Sequence, residues 1–486
     1  MNSQKLTGPQ KRAVSERADE RIADAIARFK ATGSPVQVSF REMCSAWPWA
    51  KRSDVMTHYM HRYPAKMLPY IPILFLSSSL ASEGDIVLDG FAGTGTVGLE
   101  CISHPATPRD CLLADISPLA RLISSAKVTP QRPESLRSHV GALHSTLERM
   151  TKVPDIPEFP GISFWFRDRA QTELARLYTL IDTASMGLLE KDFFWACLSS
   201  IIRDTSRADP RIAPPVRLSA KKIPSEAGRT PEQVIARKGR MNPQTLFFRA
   251  AYRNLARLSD LWEAMHASGH WRTALVIGGD ARRLTISTYL GKGELDARTE
   301  APMPDNSIGM VICSPPYINA QKYARSTKLE LWWMGLINRT AEGLRSLDSD
   351  MIGTERIGSG EGPELALTGV AEADHLVDAI AEKSVRAARM VSKYYHDMSA
   401  ALSEIARVLR PGKYCILVVG NNAIRTHVAP NHIILAEIAK RKGLDIEAML
   451  VDEIRSRGMI TKRHPTAGMI RDEWIMLLRK PVRRMR

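Results

Sequence analysis

The chain has 486 residues, 44% hydrophobic and 25% charged, which are the proportions of an ordinary globular protein and exclude wholesale disorder. Its 68 lysines and arginines against 52 acids leave a formal charge of +16. That excess favours a polyanionic partner, nucleic acid before membrane, because a basic surface gains by displacing counterions from phosphates. Six scattered cysteines, at 44, 101, 111, 197, 313 and 415, form no CxxC pair, and no histidine cluster has zinc spacing. Neither a disulfide framework nor a metal site is indicated, and reduced thiols fit a cytoplasmic location.

The polar start MNSQKLTGPQKR has no signal-peptide pattern, and the apolar run at 68–76 is too short to span a bilayer, so no membrane partner is expected. Residues 14–30 read as a charged helix with an alanine and isoleucine face, the brace of an N-terminal helical arm at 1–52. A short strand, DIVLD at 85–89, runs directly into the glycine-rich GFAGTGTVGLE, which opens a helix, and a second strand, CLLAD, follows at 111–115. This is a β-α-β unit.

The alternation then breaks. Residues 131–270 carry mostly helical patterns, for example at 166–182 and 246–265. Between them the proline-rich stretch 203–240 holds ten basic residues to four acidic ones and reads as a long basic excursion. Arg237, Lys238 and Arg240 are its candidate nucleic-acid contacts. Strand patterns return at 274–280, 308–314, 413–421, 445–454 and 473–480. The expected fold is a Rossmann-like α/β protein with a seven-stranded sheet. That sheet is divided between 53–130 and 271–486 by a helical basic insertion at 131–270.

Gly93-x-Gly95-x-x-Gly98 matches a dinucleotide fingerprint, with Asp115 about twenty residues on to accept from ribose hydroxyls. The turn indicates an adenosine ligand. Asp89 at its start suits an ammonium- or sulfonium-bearing ligand better than a pyrophosphate, and Phe91 stands where a pyrophosphate needs a small residue. Both favour S-adenosylmethionine over a nicotinamide cofactor.

The strand at 308–314 stops at Ser314-Pro315-Pro316-Tyr317. Two prolines force the chain out of the ladder in a stiff loop at a carboxyl strand end, where open parallel sheets bind ligands. A serine oxygen and a prolyl carbonyl can hold the hydrogens of an exocyclic amino group, and Tyr317 offers a flat face to an unstacked base.

DGFAGTGT, the acid after the second strand and SPPY after the fourth resemble the amino-methylating DNA methyltransferases, which make N4-methylcytosine or N6-methyladenine. HRYPAKMLPYIP at 61–72 is similar to the segment preceding the glycine turn in that family. The resemblance covers about 55–130 and 270–480. It implies Ser314, Pro315, Pro316 and Tyr317 on the target base, and Asp89, Phe91, Gly93, Thr94, Gly95 and Thr96 around the methionine part of S-adenosylmethionine. Asp115 is implied on the ribose, Tyr63, Ala65 and Lys66 beside the cofactor, and Asp280 near the adenine. Serine at the first loop position favours cytosine N4, with adenine N6 as the alternative. DNA is the implied substrate and a restriction endonuclease a conceivable partner.

The chain departs from the family in Gly90, where proline is usual, and in the place of its insertion. A cytosine-C5 enzyme is disfavoured because no cysteine follows a proline. An RNA methyltransferase and a non-catalytic nucleic-acid-binding protein are the weaker alternatives. His58 and His61 are expected to pack or to meet a phosphate, with no acid beside them. Trp332 and Trp333 are read as core, while Tyr323 and Lys328 are candidates to reach the flipped base or its phosphate.

Overall fold

The computed structural model describes residues 6–50, 56–64, 66–210, 212–219, 230–318, 322–356, 367–453 and 472–482. Its strands, in chain order, are β1 (Val36–Val38), β2 (Val87–Asp89), β3 (Cys111–Ala114), β4 (Ala274–Gly278), β5 (Thr285–Gly291), β6 (Glu294–Pro302), β7 (Ile308–Cys313), β8 (Leu409–Gly420), β9 (Asn422–Ile424), β10 (His427–Ala429), β11 (Asp445–Glu453) and β12 (Asp472–Arg479). Eight of them form one sheet in the order β1-β11-β12-β8-β7-β2-β3-β4. Only β12 runs antiparallel to its neighbours; every other pair is parallel.

Seven of these strands are those the sequence predicts. The eighth, β1, lies in the N-terminal arm, where Val36–Val38 extends the sheet beside β11. Three residues between a 25-residue helix, Gly8–Thr32, and a short turn are too few to show a period. The β5–β6 and β9–β10 hairpins, outside the main sheet, likewise have no counterpart among the predicted elements.

The sheet is covered on both faces, so its central strands are apolar throughout: all six residues of β7 are buried. Alternate side chains serve opposite layers. Val311 and Cys313 join the core built on helices Ala371–Ala381, Val385–Val408 and Asn431–Arg441. Met310 and Ile312 join the one built on Gly8–Thr32, Tyr70–Ser77 and Thr96–Ser103. A third core fills the helical insertion between β3 and β4, from helices Pro133–Arg149, Asp168–Thr183, Leu188–Thr205 and Pro243–Ser268. Trp332 and Trp333, on helix Lys328–Met334 just beyond β7, are buried in that third core. They tie the loop after β7 to the insertion.

From β2 the chain winds outward through β3 and β4, then returns to the other side of β2 as β7 and β8. The winding therefore reverses between β2 and β7. The crevice at the carboxyl ends of those two strands is where this topology binds ligands.

Candidate active site

Both loops that open on the crevice are built by local chemistry. After β2, Asp89 accepts the Phe91 N–H at 3.0 Å, and the turn that follows places Gly95 at φ +70°, a backbone state that favours glycine. A Cβ on Gly95 would also come within 3.2 Å of Ser124, whose hydroxyl holds the Gly93 carbonyl at 2.9 Å. Gly98 acts differently: a Cβ there would lie 2.9 Å from Leu113, so glycine lets helix Thr96–Ser103 lie against β3. Asp115, just past β3, accepts from Gly93 N and Ser117 N, both at 2.8 Å, and so joins the turn to the next helix, Pro118–Val128.

After β7, Ser314 and Pro316 face the crevice while Pro315 is buried. Tyr317 packs against the core that contains Tyr394, and burial, with Glu473 nearby, pushes its phenol pKa up against the opposing pull of Ser314. The side chain of Asn422 donates to the Ile318 carbonyl, anchoring the far end of the loop.

These loops share one cleft, concave and open to solvent. Tyr63, Phe91, Gly93, Asp115, Asp280, Ser314 and Pro316 of the predicted site all line it. So does Tyr323, at the start of the short helix Tyr323–Ser326, whereas Tyr317 is absent from the lining. Lys328 instead lies over the Trp165 ring at 4.6 Å, within the insertion.

Asp89 is not exposed to the cleft. It is buried beneath the turn, and burial, with Asp115 close by, pushes its pKa up to about 8 against the pull of the Phe91 N–H. That corrects the expectation of a carboxylate facing a cation. Burial likewise raises Asp115, to about 6, against the pull of its two backbone donors. Lys66, Thr94, Gly95 and Thr96 also stand behind the lining, and Ala65 lies outside the described residues.

Asp280 is clamped. Arg282 holds it through Nε at 3.0 Å and Nη2 at 2.8 Å, and the same guanidinium reaches Asp397 at 3.0 Å and the Asp350 carbonyl at 2.8 Å. Through that carbonyl it fixes the wall formed by Asp350, Met351 and Ile352 at the end of helix Ala341–Asp350. Sequence reasoning missed this wall, since no motif marks it. Ile116 and Ala281 were missed too, although each neighbours an acid the motif identified.

Behind the glycine turn lies a buried polar cluster. His58 does have an acid beside it, contrary to expectation: its Nε2 is 2.7 Å from Glu100 Oε1, and both residues are buried. Their separation of 42 positions hides the pair from a linear reading. Lys66 donates to the carbonyls of His58 and His61 at 3.0 and 2.8 Å.

Of the three insertion candidates, Arg237 and Arg240 are exposed, at the end of helix Pro231–Gly239. Lys238 is turned inward and donates to the Ala208 carbonyl, and burial lowers its pKa to about 8. Among the described residues no helix is long and apolar enough to cross a membrane, and no group of three or more His, Cys, Asp or Glu could hold a metal ion.

No protein-family model matches the sequence. Among solved structures, a protein described as a DNA modification methylase from Thermus thermophilus, complexed with S-adenosyl-L-methionine, aligns at 16% identity and a TM-score of 0.19. That alignment covers 38% of this chain and only 52% of the other. The rRNA methyltransferase AviRa from Streptomyces viridochromogenes aligns at 9% identity and a TM-score of 0.28, over 86% of each chain. Neither overlay bears on function. In sequence, the chain is 23% identical over 430 residues to the Type II methyltransferase M.MvaI of Kocuria varians, spanning 85% of this chain and 87% of that one.

Proposed function

We propose that this protein is a DNA methyltransferase that uses S-adenosylmethionine to methylate the exocyclic amino group of a flipped-out base, N4 of cytosine in preference to N6 of adenine. One observation carries the reading: where the winding reverses between β2 and β7, one cleft is lined both by Gly93 and Asp115 and by Ser314 and Pro316. The similarity to a Type II methyltransferase over 85% of this chain supports it. A DNA substrate also agrees with the formal charge of +16.

The residues present fit the cofactor. Asp115 keeps lone pairs beyond the two it gives to backbone amides, so its carboxylate can also accept from ribose hydroxyls. Tyr63 and Phe91 supply apolar walls. When bound, S-adenosylmethionine supplies an electrophilic methyl group on a sulfonium.

The chain's part is to hold the acceptor. An aromatic amino group is a weak nucleophile because its lone pair is delocalised into the ring. Ser314 Oγ and the Pro315 carbonyl accept its hydrogens and favour tetrahedral nitrogen, and the stiff diproline keeps that nitrogen in line. Tyr323, on the cleft wall, offers a face for the extruded base, a role first expected of Tyr317. Serine at position 314 favours cytosine. Incubation with S-adenosylmethionine and unmethylated DNA, digestion to nucleosides and mass spectrometry test the proposal. N4-methylcytosine is the expected product, N6-methyladenine would correct the base, and unmodified DNA would reject the reading.

A further inference from the structure

Helix Ala341–Asp350 runs into a segment, Asp350 to Gly353, whose first three residues line the cleft together with Ser314 and Pro316. Met351 is buried in the core of the insertion, against which Tyr323 packs, and Ile352 in a core of the sheet, against which Tyr317 packs. The segment joins the two cores at the edge of the cleft. Gly353, which follows, touches the loop after β7 itself. It stands at φ +78°, and a Cβ there would lie 3.0 Å from the Tyr317 carbonyl oxygen and 3.6 Å from Pro316 Cβ. Any other residue would be strained twice, by its backbone state and by that approach.

Polar contacts on both sides of Gly353 keep the segment in place. Arg282 donates to the Asp350 carbonyl at 2.8 Å, and Arg356 Nε meets the buried Asp348 at 2.6 Å. Glu355 pairs with Lys322 at 2.7 Å and with Arg325, and so also fixes the short helix that carries Tyr323. On the far side of the loop, Asn422 donates to the Ile318 carbonyl while its own oxygen accepts from the buried Asn431 at 3.1 Å. Asn431 in turn accepts the Tyr395 hydroxyl at 2.9 Å. The loop is clamped between Gly353 and Asn422.

We propose that Gly353 is a positioning residue for methyl transfer: by seating the Tyr317 carbonyl it fixes where Ser314 and the Pro315 carbonyl hold the target amino group. The inference rests on the function proposed above and adds a residue that no motif marks. Transfer needs donor and acceptor in line, and a loop displaced by about 1 Å costs roughly a hundredfold in rate. Gly93 and Asp115 stand on other loops, held by their own hydrogen bonds, so cofactor binding does not depend on Gly353.

Three variants of the full chain provide the test. Gly353→Ala adds both the strain and the contact with Tyr317. Gly353→Asn adds the contact with less strain, because asparagine tolerates positive φ. Gly443→Ala is the control: Gly443 stands at φ +84° past helix Asn431–Arg441 with open space where a Cβ would go, so it adds strain alone. Single-turnover transfer to unmethylated DNA at saturating S-adenosylmethionine should fall roughly tenfold to a hundredfold in both Gly353 variants and stay near wild type in Gly443→Ala. Calorimetric titration with S-adenosylhomocysteine should give one affinity for all four proteins, which also certifies that the variants are folded. Undiminished transfer in the Gly353 variants, an equal loss in Gly443→Ala, or a parallel loss of S-adenosylhomocysteine affinity would overturn the proposal. Wild-type protein that methylates no DNA would overturn the function proposed above, and this proposal with it.

Discussion

At the cleft several loop residues are held by backbone requirements, whereas the helical insertion is held mainly by packing between its helices. Gly95 stands at positive φ against Ser124, and the two prolines after Ser314 take β7 out of its ladder. The insertion instead relies on summed burial across four helices, where most apolar side chains of similar volume would serve. Geometry that admits few residue types leaves a short, readable motif. Distributed packing leaves only a period.

The sharpest way to break that contrast is at the loop. Ser314→Ala is predicted to lower methyl transfer by roughly a hundredfold or more, because one acceptor aimed at the reacting group is lost, while S-adenosylhomocysteine binding stays near wild type. Single-turnover transfer and equilibrium binding, measured on the same preparation, check both halves. A parallel loss of cofactor affinity would place Ser314 on the wrong side of the cleft.

The insertion should answer differently. Trp333 is fully buried among Phe166 and Phe159, with ring centroids at 5.2 and 5.8 Å, and its indole N–H has no hydrogen-bond partner among the described residues. Trp333→Ala is therefore predicted to cost about 3–5 kcal/mol by cavity formation, and Trp333→Phe much less, since no polar bond is broken. Urea unfolding measures the difference. If Trp333→Ala were tolerated, the link between the loop after β7 and the insertion would be dispensable.

What could be read from the sequence follows the same division. Seven strands of the sheet were legible because both-face burial writes continuous apolar runs such as Val311–Ile312–Cys313. Gly93, Asp115, Asp280, Ser314 and Pro316 were legible as a group because strand ends bring fixed positions together. β1 was not, its pairing with β11 being more than four hundred residues away in sequence. Nor were the Asp350–Ile352 wall and the His58–Glu100 pair, which depend on contacts between distant segments. The upward pKa shift of Asp89 was equally hidden, since burial and not residue type causes it.

That last point gives a pH prediction. Asp89 is raised from 3.8 to about 8 and Asp115 to about 6, so the folded protein keeps protons that the unfolded chain releases. The stability these groups confer is fully present below about pH 4 and is lost as pH rises to about 8. Asp89→Asn still accepts the Phe91 N–H, so its unfolding free energy should vary less between pH 5 and 9 than that of the wild type and should exceed it at pH 9. A wild-type profile already flat across that range would mean that Asp89 is ionised in the folded state.

The smallest effect is the most specific to the insertion. Arg237 and Arg240 are exposed near the end of a nine-residue helix, while the amine of Lys238 between them is committed to the Ala208 carbonyl. If this segment meets the DNA backbone, each exposed arginine releases about one counterion on binding. The double variant Arg237→Gln with Arg240→Gln should then reduce the slope of log affinity against log salt by about two, while Lys238→Gln alone leaves it unchanged. Three adjacent charges that look alike in sequence would separate into two that touch phosphate and one that braces the chain. An unaltered slope in the double variant would move the DNA contact to another face, because a charge that meets no phosphate releases no counterion, however basic its neighbourhood.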